Sequence, residues 1–163
     1  DVLPKDFVLY CVKFINQWHA NYLRRGVDQI TINGTSKTVV RHKQYVENDE
    51  LSNLISASLM SNEFPVSVEN AEGVKQTCTL LLTFDSSNKI TVSTTTEGYT
   101  ATGSGTFVPK GEKNSWGNKD RDVVYLNYNI TSNSGVAYAT KDTLVVQGRG
   151  VKIETFTPLY VSN

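Results

Sequence analysis

The chain has 163 residues and a mass of 18.1 kDa, with 16 basic and 16 acidic residues and a sequence pI near 6.9. That length suits one domain whose core needs neither disulfides nor a metal, and a net charge of zero gives no basic field to recruit nucleic acid or an anionic membrane. No run of about eighteen apolar residues occurs, so no membrane-spanning helix is expected.

Residues 7–14 are apolar almost without pause, and their aromatic and β-branched content favours a strand over a helix segment. Residues 22–32 and 38–46 read as strands joined through Asn33-Gly34, the dipeptide suited to a type I′ hairpin, in which both central residues need positive φ. Next, Leu51, Leu54, Ile55 and Leu59 have helical spacing, and Asn48-Asp49-Glu50 would cap such a helix. The competing reading puts Ile55, Ala57 and Leu59 on one strand face and Ser56 and Ser58 on the other. The extended run Phe64-Pro65-Val66-Ser67-Val68 that follows favours the strand. Pro65 cannot donate to a ladder and is expected at an edge or a bulge.

Further on, Cys78, Leu80, Leu82 and Phe84 alternate with Thr77, Thr79, Leu81 and Thr83, the period of two that marks a half-buried strand. Asp85-Ser86-Ser87-Asn88 supplies turn chemistry before Ile90 and Val92 resume the alternation. Gly103 and Gly105 within residues 102–108 suit a bulged or sharply coiled strand at a barrel corner. Residues 109–121 are polar, hold Trp116 as their one large apolar group, and read as a long loop of the kind that carries function. Val124, Leu126, Tyr128 and Ile130 form another apolar face, and residues 143–147 and 151–156 add two short strands. Gly148 and Gly150, on either side of Arg149, indicate a tight turn or bulge. The pattern is all-β, an antiparallel meander.

Four segments carry a family resemblance: Trp18-His19-Ala20-Asn21-Tyr22-Leu23-Arg24-Arg25-Gly26, Gly103-Ser104-Gly105-Thr106-Phe107-Val108, residues 111–122 with Trp116-Gly117-Asn118-Lys119-Asp120-Arg121-Asp122, and Thr140-Lys141-Asp142-Thr143-Leu144-Val145-Val146. They resemble the C-terminal domain of unknown function of secreted Bacteroidetes lipoproteins that carry an N-terminal adhesin-like domain. The likeness covers nearly the whole chain, with one departure at Ala20, where glycine is expected after the histidine. The resemblance implies a calycin/lipocalin-like β-barrel in which an early tryptophan, here Trp18 beside His19 and Tyr22, closes one end. It also implies an extracytoplasmic place, at the outer-membrane surface or in the periplasm, among polysaccharide-utilisation proteins. Membrane attachment would run only through a lipid anchor outside this chain. Residues 1–163 are then one barrel domain, with residues 1–16 as a linker or strand joining an N-terminal domain, since the chain opens on Asp1 rather than Met.

Candidate site residues are few. Trp116 would stack on a sugar ring while Asn114, Asn118 and Asp120 bond its hydroxyls; alternatively, Trp116 folds back to plug a barrel end. Asp120 and Asp122 share one side of an extended backbone. A glycosidase pair needs carboxyls about 5 to 9 Å apart across a cleft, whereas pairing with Lys119, Arg121 or Arg149 asks only for a surface. His19 and His42 are the only histidines and have no spaced carboxylates beside them, so no metal, cofactor or catalytic triad is expected. Cys11 and Cys78 read as small buried hydrophobes, bridged only if their strands adjoin. The glycosylation-like triplets Asn33-Gly34-Thr35 and Asn129-Ile130-Thr131 read as turn and strand chemistry. Three functions stand: a non-catalytic surface module contacting a glycan or partner protein, a calycin-type carrier of a small apolar ligand lined by Leu80, Leu82, Leu126 and Tyr128, or a structural spacer. An enzyme is not expected.

Overall fold

A computed structural model describes residues 13–151. It contains nine strands: β1 (Ala20–Ile32), β2 (Thr35–Arg41), β3 (Glu50–Ser58), β4 (Ser61–Glu69), β5 (Lys75–Phe84), β6 (Lys89–Thr94), β7 (Tyr99–Ser115), β8 (Lys119–Ser132) and β9 (Val136–Gly148), with one 3-10 turn at Val46–Asn48. From β3 onward each strand pairs antiparallel with the next. β9 then returns along β1, from Asn21 opposite Gly148 to Ile32 opposite Val136. The first half of β1 pairs with β3, and this closes an eight-stranded antiparallel barrel.

Because β9 takes the whole of one β1 edge, β2 and β3 must divide the other. β3 holds Ala20 to Arg24 and β2 holds Gly26 to Ile32. β3 meets β4 only between Ile55–Ser58 and Ser61–Glu63. Beyond Glu63, β4 has no ladder partner on that side among the described residues, and a seam opens in the wall between β2 and β4. Pro65 lies on this free stretch, opposite Thr79 of β5, where its missing N–H costs no hydrogen bond.

The interior is filled. Tyr22, Phe64, Leu80, Leu82, Val124, Leu126, Tyr128 and Leu144 are buried within one apolar cluster, and inward-facing side chains of a small barrel are expected to occupy its whole width. Trp18 closes one end, stacked on Phe84 with ring centroids 4.0 Å apart. Its carbonyl accepts the Tyr22 hydroxyl at 2.8 Å. His19 is structural there: its Nδ1 accepts the Ser56 N–H at 3.1 Å, and burial, with Lys13 and Arg149 nearby, holds it below the usual imidazole range.

Several expectations hold in detail. Asn33 and Gly34 have φ of 51° and 80°, as the hairpin requires. A bulge at Gln147 directly precedes Gly148, the register of β9 against β1 shifting between Asn21 and Tyr22. Ala20 is buried at 0 % exposure in β1 with no positive φ, so the place expected to hold glycine is ordinary strand. Cys78 is buried with its Sγ 3.7 Å from Thr94 Oγ1; Cys11, and hence the pairing question, lies outside the described residues, as do most of the strands expected at 7–14 and 151–156.

Three readings change. The strand expected at 38–46 ends at Arg41, because the chain must leave the β2 edge and cross to the other half of β1. Residues 51–59 are largely strand, but in the opposite phase: Ser52 and Leu54 face inward, while Ile55, Ala57 and Leu59 are exposed. The inward serines are tolerated because that end of the barrel is polar, with Ser56 Oγ accepting the Asn16 N–H at 2.9 Å. Residues 109–121, expected as a loop, continue β7 and β8 as a bulged ribbon with a tight turn at its tip, the register shifting twice between Val108 and Ser115.

Gly103 and Gly105 make the sharp β7–β8 approach. A Cβ on Gly103 would lie 2.5 Å from Tyr128 Cβ, and one on Gly105 would collide with the Tyr125 carbonyl and Leu126. Gly105→Ala is therefore expected to cost about 1–3 kcal/mol in urea denaturation, whereas Gly148→Ala, facing open space, stays within about 0.5 kcal/mol of the parent or above it.

Candidate functional site

The inward phase of β1 runs Tyr22, Arg24, Gly26, Asp28, Ile30, so two charged side chains point into the barrel wall around a glycine. Opposite them on β9 stand Thr140 and Asp142, in phase with Leu144 and Val146. Asp142 is 3 % exposed and accepts from three groups: Arg24 Nε at 3.0 Å, Arg41 Nη2 at 2.6 Å and the Tyr128 hydroxyl at 2.8 Å. Arg41, the last residue of β2, also donates Nε and Nη2 to Asp28 at 2.6 and 2.9 Å, and Thr140 Oγ1 donates to Asp28 at 2.8 Å. Arg24 Nη2 reaches the Tyr128 hydroxyl at 3.1 Å, and its guanidinium lies 5.1 Å over the Phe64 ring.

Gly26 makes this possible. A Cβ there would overlap both Asp142 Oδ1 and the Lys141 carbonyl, and would sit 3.0 Å from Arg41 Nη2. The missing side chain is the space in which β2 and β9 exchange their charges.

The charges are in the states the geometry requires. Burial acts to raise the Asp28 carboxyl, but hydrogen bonds from Arg41 and Thr140 and the charges of Arg41 and Arg24 outweigh it and hold it below the usual carboxylate range. Burial works to lower the Arg41 guanidinium, and the hydrogen bond to Asp28 and the charge of Asp142 more than offset this. Tyr128 is pushed well above the ordinary phenol by burial, with the Asp142 charge adding to it, and stays a hydroxyl donor.

Above this network lies a cavity of about 310 Å³. It opens at the β2–β4 seam. Arg24, Asp28 and Arg41 form its floor, Val66, Val68 and Ile130 its apolar side, and Lys37, Glu69 and Lys75 its rim. Lys37 and Glu69 span the seam at 3.4 Å, an exposed pair worth about 1 kcal/mol or less and so easily parted. Tyr138 also lines the cavity and accepts the Glu69 N–H at 2.6 Å.

The residues singled out from sequence lie elsewhere, at the tip of the β7–β8 ribbon. Asn114 and Asn118 adopt φ of 44° and 54° and serve the turn. Asp120 is engaged by Lys113 Nζ at 2.9 Å and the Asn114 N–H at 3.2 Å. Those contacts, the Lys113 hydrogen bond first, hold its carboxyl below the usual range. Asp122 accepts the Lys110 N–H at 2.9 Å and lies 3.9 Å from Arg149, one of the partners expected for it. Trp116 folds back over the outer wall. It packs with Val46 against Leu23, Val123 and Val145, which stand in register on β1, β8 and β9, and carries the Arg121 guanidinium 4.7 Å from its ring centroid. The structure thus brings Asn114 and Asp120 into contact, while the Trp116 ring serves as a cover.

Arg24, Asp28, Arg41 and Asp142 escaped the sequence reading. The available signal was phase, since Arg24 and Asp142 fall on the inward beat of otherwise apolar strands. The groups of three or more His, Cys, Asp or Glu that a metal would need are absent among the described residues.

The profile of a domain of unknown function, DUF5627, matches residues 17–150. A crystal structure of a protein of unknown function from Bacteroides ovatus is 44 % identical and superposes with a TM-score of 0.87, over 92 % of this chain and 48 % of that one. The chain therefore spans about half the length of that relative. No curated protein matches.

Since Asp28 has a depressed pKa, its contribution is present above the unfolded carboxylate value of about 3.9 and is lost as pH falls through the lower folded value. Asp28→Asn is expected to cost about 3 kcal/mol at pH 7, where it strands part of the Arg41 charge. It should also flatten the loss of stability between pH 5 and pH 2, measured by urea unfolding across that range.

Proposed function

The chain belongs to the DUF5627 family, and from that premise we propose that it is a non-catalytic binding module whose ligand, the hydroxyl-rich end of a glycan, enters the barrel mouth at the β2–β4 seam. The observation that carries this is the cavity of about 310 Å³ with an ion-paired floor and an apolar side. It lies at the small end of the range for ligand pockets, about 300–1,000 Å³. A sugar ring has hydroxyl edges and an apolar face, and this lining offers fixed donors and acceptors on one side and valine and isoleucine on the other. The carrier of a small apolar ligand fits less well, since Leu80, Leu82 and Leu126 are buried in the apolar core, and the cavity that Tyr128 does line is floored by charges.

The absence of catalysis is part of the reading. Asp28 and Asp142 are bound by arginines from two strands, and a carboxylate so held is a poor general acid. With a relative from Bacteroides ovatus that is about twice as long, the reading extends to one module of a longer extracytoplasmic protein, lipid-anchored outside this chain, working at the outer-membrane surface or in the periplasm in polysaccharide utilisation. A partner protein docked at the same face is the second form of the same reading.

Heteronuclear NMR with a panel of plant and host glycans, paired with calorimetry, tests it. The expected result is shifts at Lys37, Arg41, Glu69 and Tyr138, with Trp116→Ala lowering stability by about 1–2 kcal/mol and leaving the heats unchanged. Loss of the heats in a folded Trp116→Ala protein would move the ligand to the ribbon.

A further inference from the structure

The two arginines of the floor are used alike and incompletely. Arg24 commits Nε and Nη2 to Asp142 and Tyr128, and Arg41 commits Nε and Nη2 to Asp28 and Asp142. Each leaves Nη1 over. Arg41 Nη1 is buried with no hydrogen-bond partner, a costly state for a guanidinium N–H. Both Nη1 groups face one carboxylate, that of Glu50: Arg24 Nη1 lies 3.6 Å from its Oε1 and Arg41 Nη1 lies 3.9 Å from its Oε2. Charge-assisted bonds of this type close to about 2.7–2.9 Å. Glu50 therefore sits in front of a two-arginine seat at ion-pair distance without closing hydrogen bonds to it.

The backbone beneath Glu50 is anchored while its side chain is half exposed. Asp49 accepts the Lys43 N–H at 3.0 Å and lies 2.8 Å from Arg25 Nε, whereas the Glu50 side chain is 48 % exposed at the cavity edge. Charge bookkeeping favours an exchange there. Arg24 and Arg41 are balanced by Asp28 and Asp142, so Glu50 is the one excess charge at the floor. An incoming carboxylate that displaced Glu50 toward solvent would leave the floor with the charge it already carries. Lys75 at the rim adds a cation on the way in.

We propose that the Nη1 groups of Arg24 and Arg41 form a carboxylate seat, occupied in the free protein by Glu50 as an internal competitor, and that the ligand of the barrel mouth bears a carboxylate. This rests on the mouth being the binding site. It narrows the ligand from hydroxyl-rich groups in general to acidic ones such as uronic acids, because a neutral hydroxyl is a weaker acceptor for a guanidinium than the Glu50 carboxylate it would have to displace.

The test compares glucuronate with glucose, its neutral counterpart, on the wild type and on Glu50→Gln and Glu50→Ala, by calorimetry and by NMR of arginine side-chain and backbone signals. Both substitutions lie at a half-exposed position, and an unchanged thermal midpoint confirms the fold. The expected result is that glucuronate binds more tightly than glucose, that it shifts the Arg24 and Arg41 signals, and that removing the Glu50 charge raises its affinity about fivefold, as for a seat open about a fifth of the time. The gain should be specific to the acid, with the affinity for glucose changing less than that for glucuronate. Equal binding of both sugars at the mouth, or weaker glucuronate binding to Glu50→Gln, would overturn the carboxylate seat and leave the mouth as a site. Glycan-induced shifts confined to residues away from the mouth would overturn both.

Discussion

Asp142 on β9 can meet Arg41 on β2 only because β1, which lies between them, has no side chain at Gly26. Strand β2 needs that contact. Among the described residues it is bonded by backbone to β1 alone, and its far edge faces the open seam rather than another strand. The ladder fixes its register through seven residue pairs, and the side-chain bridge through Asp28, Arg41 and Asp142 adds a tie to β9 across the width of β1. Removing one member of such a buried set leaves an uncompensated charge, which costs more than losing one partner of an exposed surface pair.

The same tie explains why the cavity lies where it does. A charged, hydrogen-bonded floor cannot collapse onto the apolar interior beneath it, and among the described residues β4 has no strand to pair with on that side beyond Glu63, so space remains between the network and the rim. The opposite end has no such space, being filled by Trp18 stacked on Phe84. The space left open by the charged floor is thereby at the β2–β4 end of the barrel. The β7–β8 ribbon, although rich in polar groups, directs its tryptophan to the outer wall, where Leu23, Val123 and Val145 would otherwise face water.

Much of the fold was legible in the sequence because its signals are local. Asn33-Gly34 specifies a hairpin within four residues, the Cys78 to Phe84 alternation specifies a strand face, and Gly103 and Gly105 mark where strands approach too closely for a Cβ. Phase was less secure: on β3, apolar Ile55 and Ala57 suggested the inner face, yet the polar end of the barrel accepts Ser52 and Ser56 instead. The site was the least legible part. A lone arginine or aspartate on an inward beat resembles an imperfection in the pattern, and its justification is a partner as far as 118 residues away, the separation of Arg24 from Asp142. Trp116 drew attention as an aromatic among polar residues, but whether such a ring is a platform or a cover depends on what lies beneath it, and that is set by the register of three other strands.

The dependence of the seam strand on the charge exchange across Gly26 is open to a double-mutant cycle with Arg41→Met and Asp142→Asn, each variant and the pair unfolded in urea at pH 7. A coupling energy above about 1.5 kcal/mol is predicted, as for groups in one buried network. Effects that add within about 0.5 kcal/mol would mean that the backbone ladder alone holds β2 in place, contradicting the account.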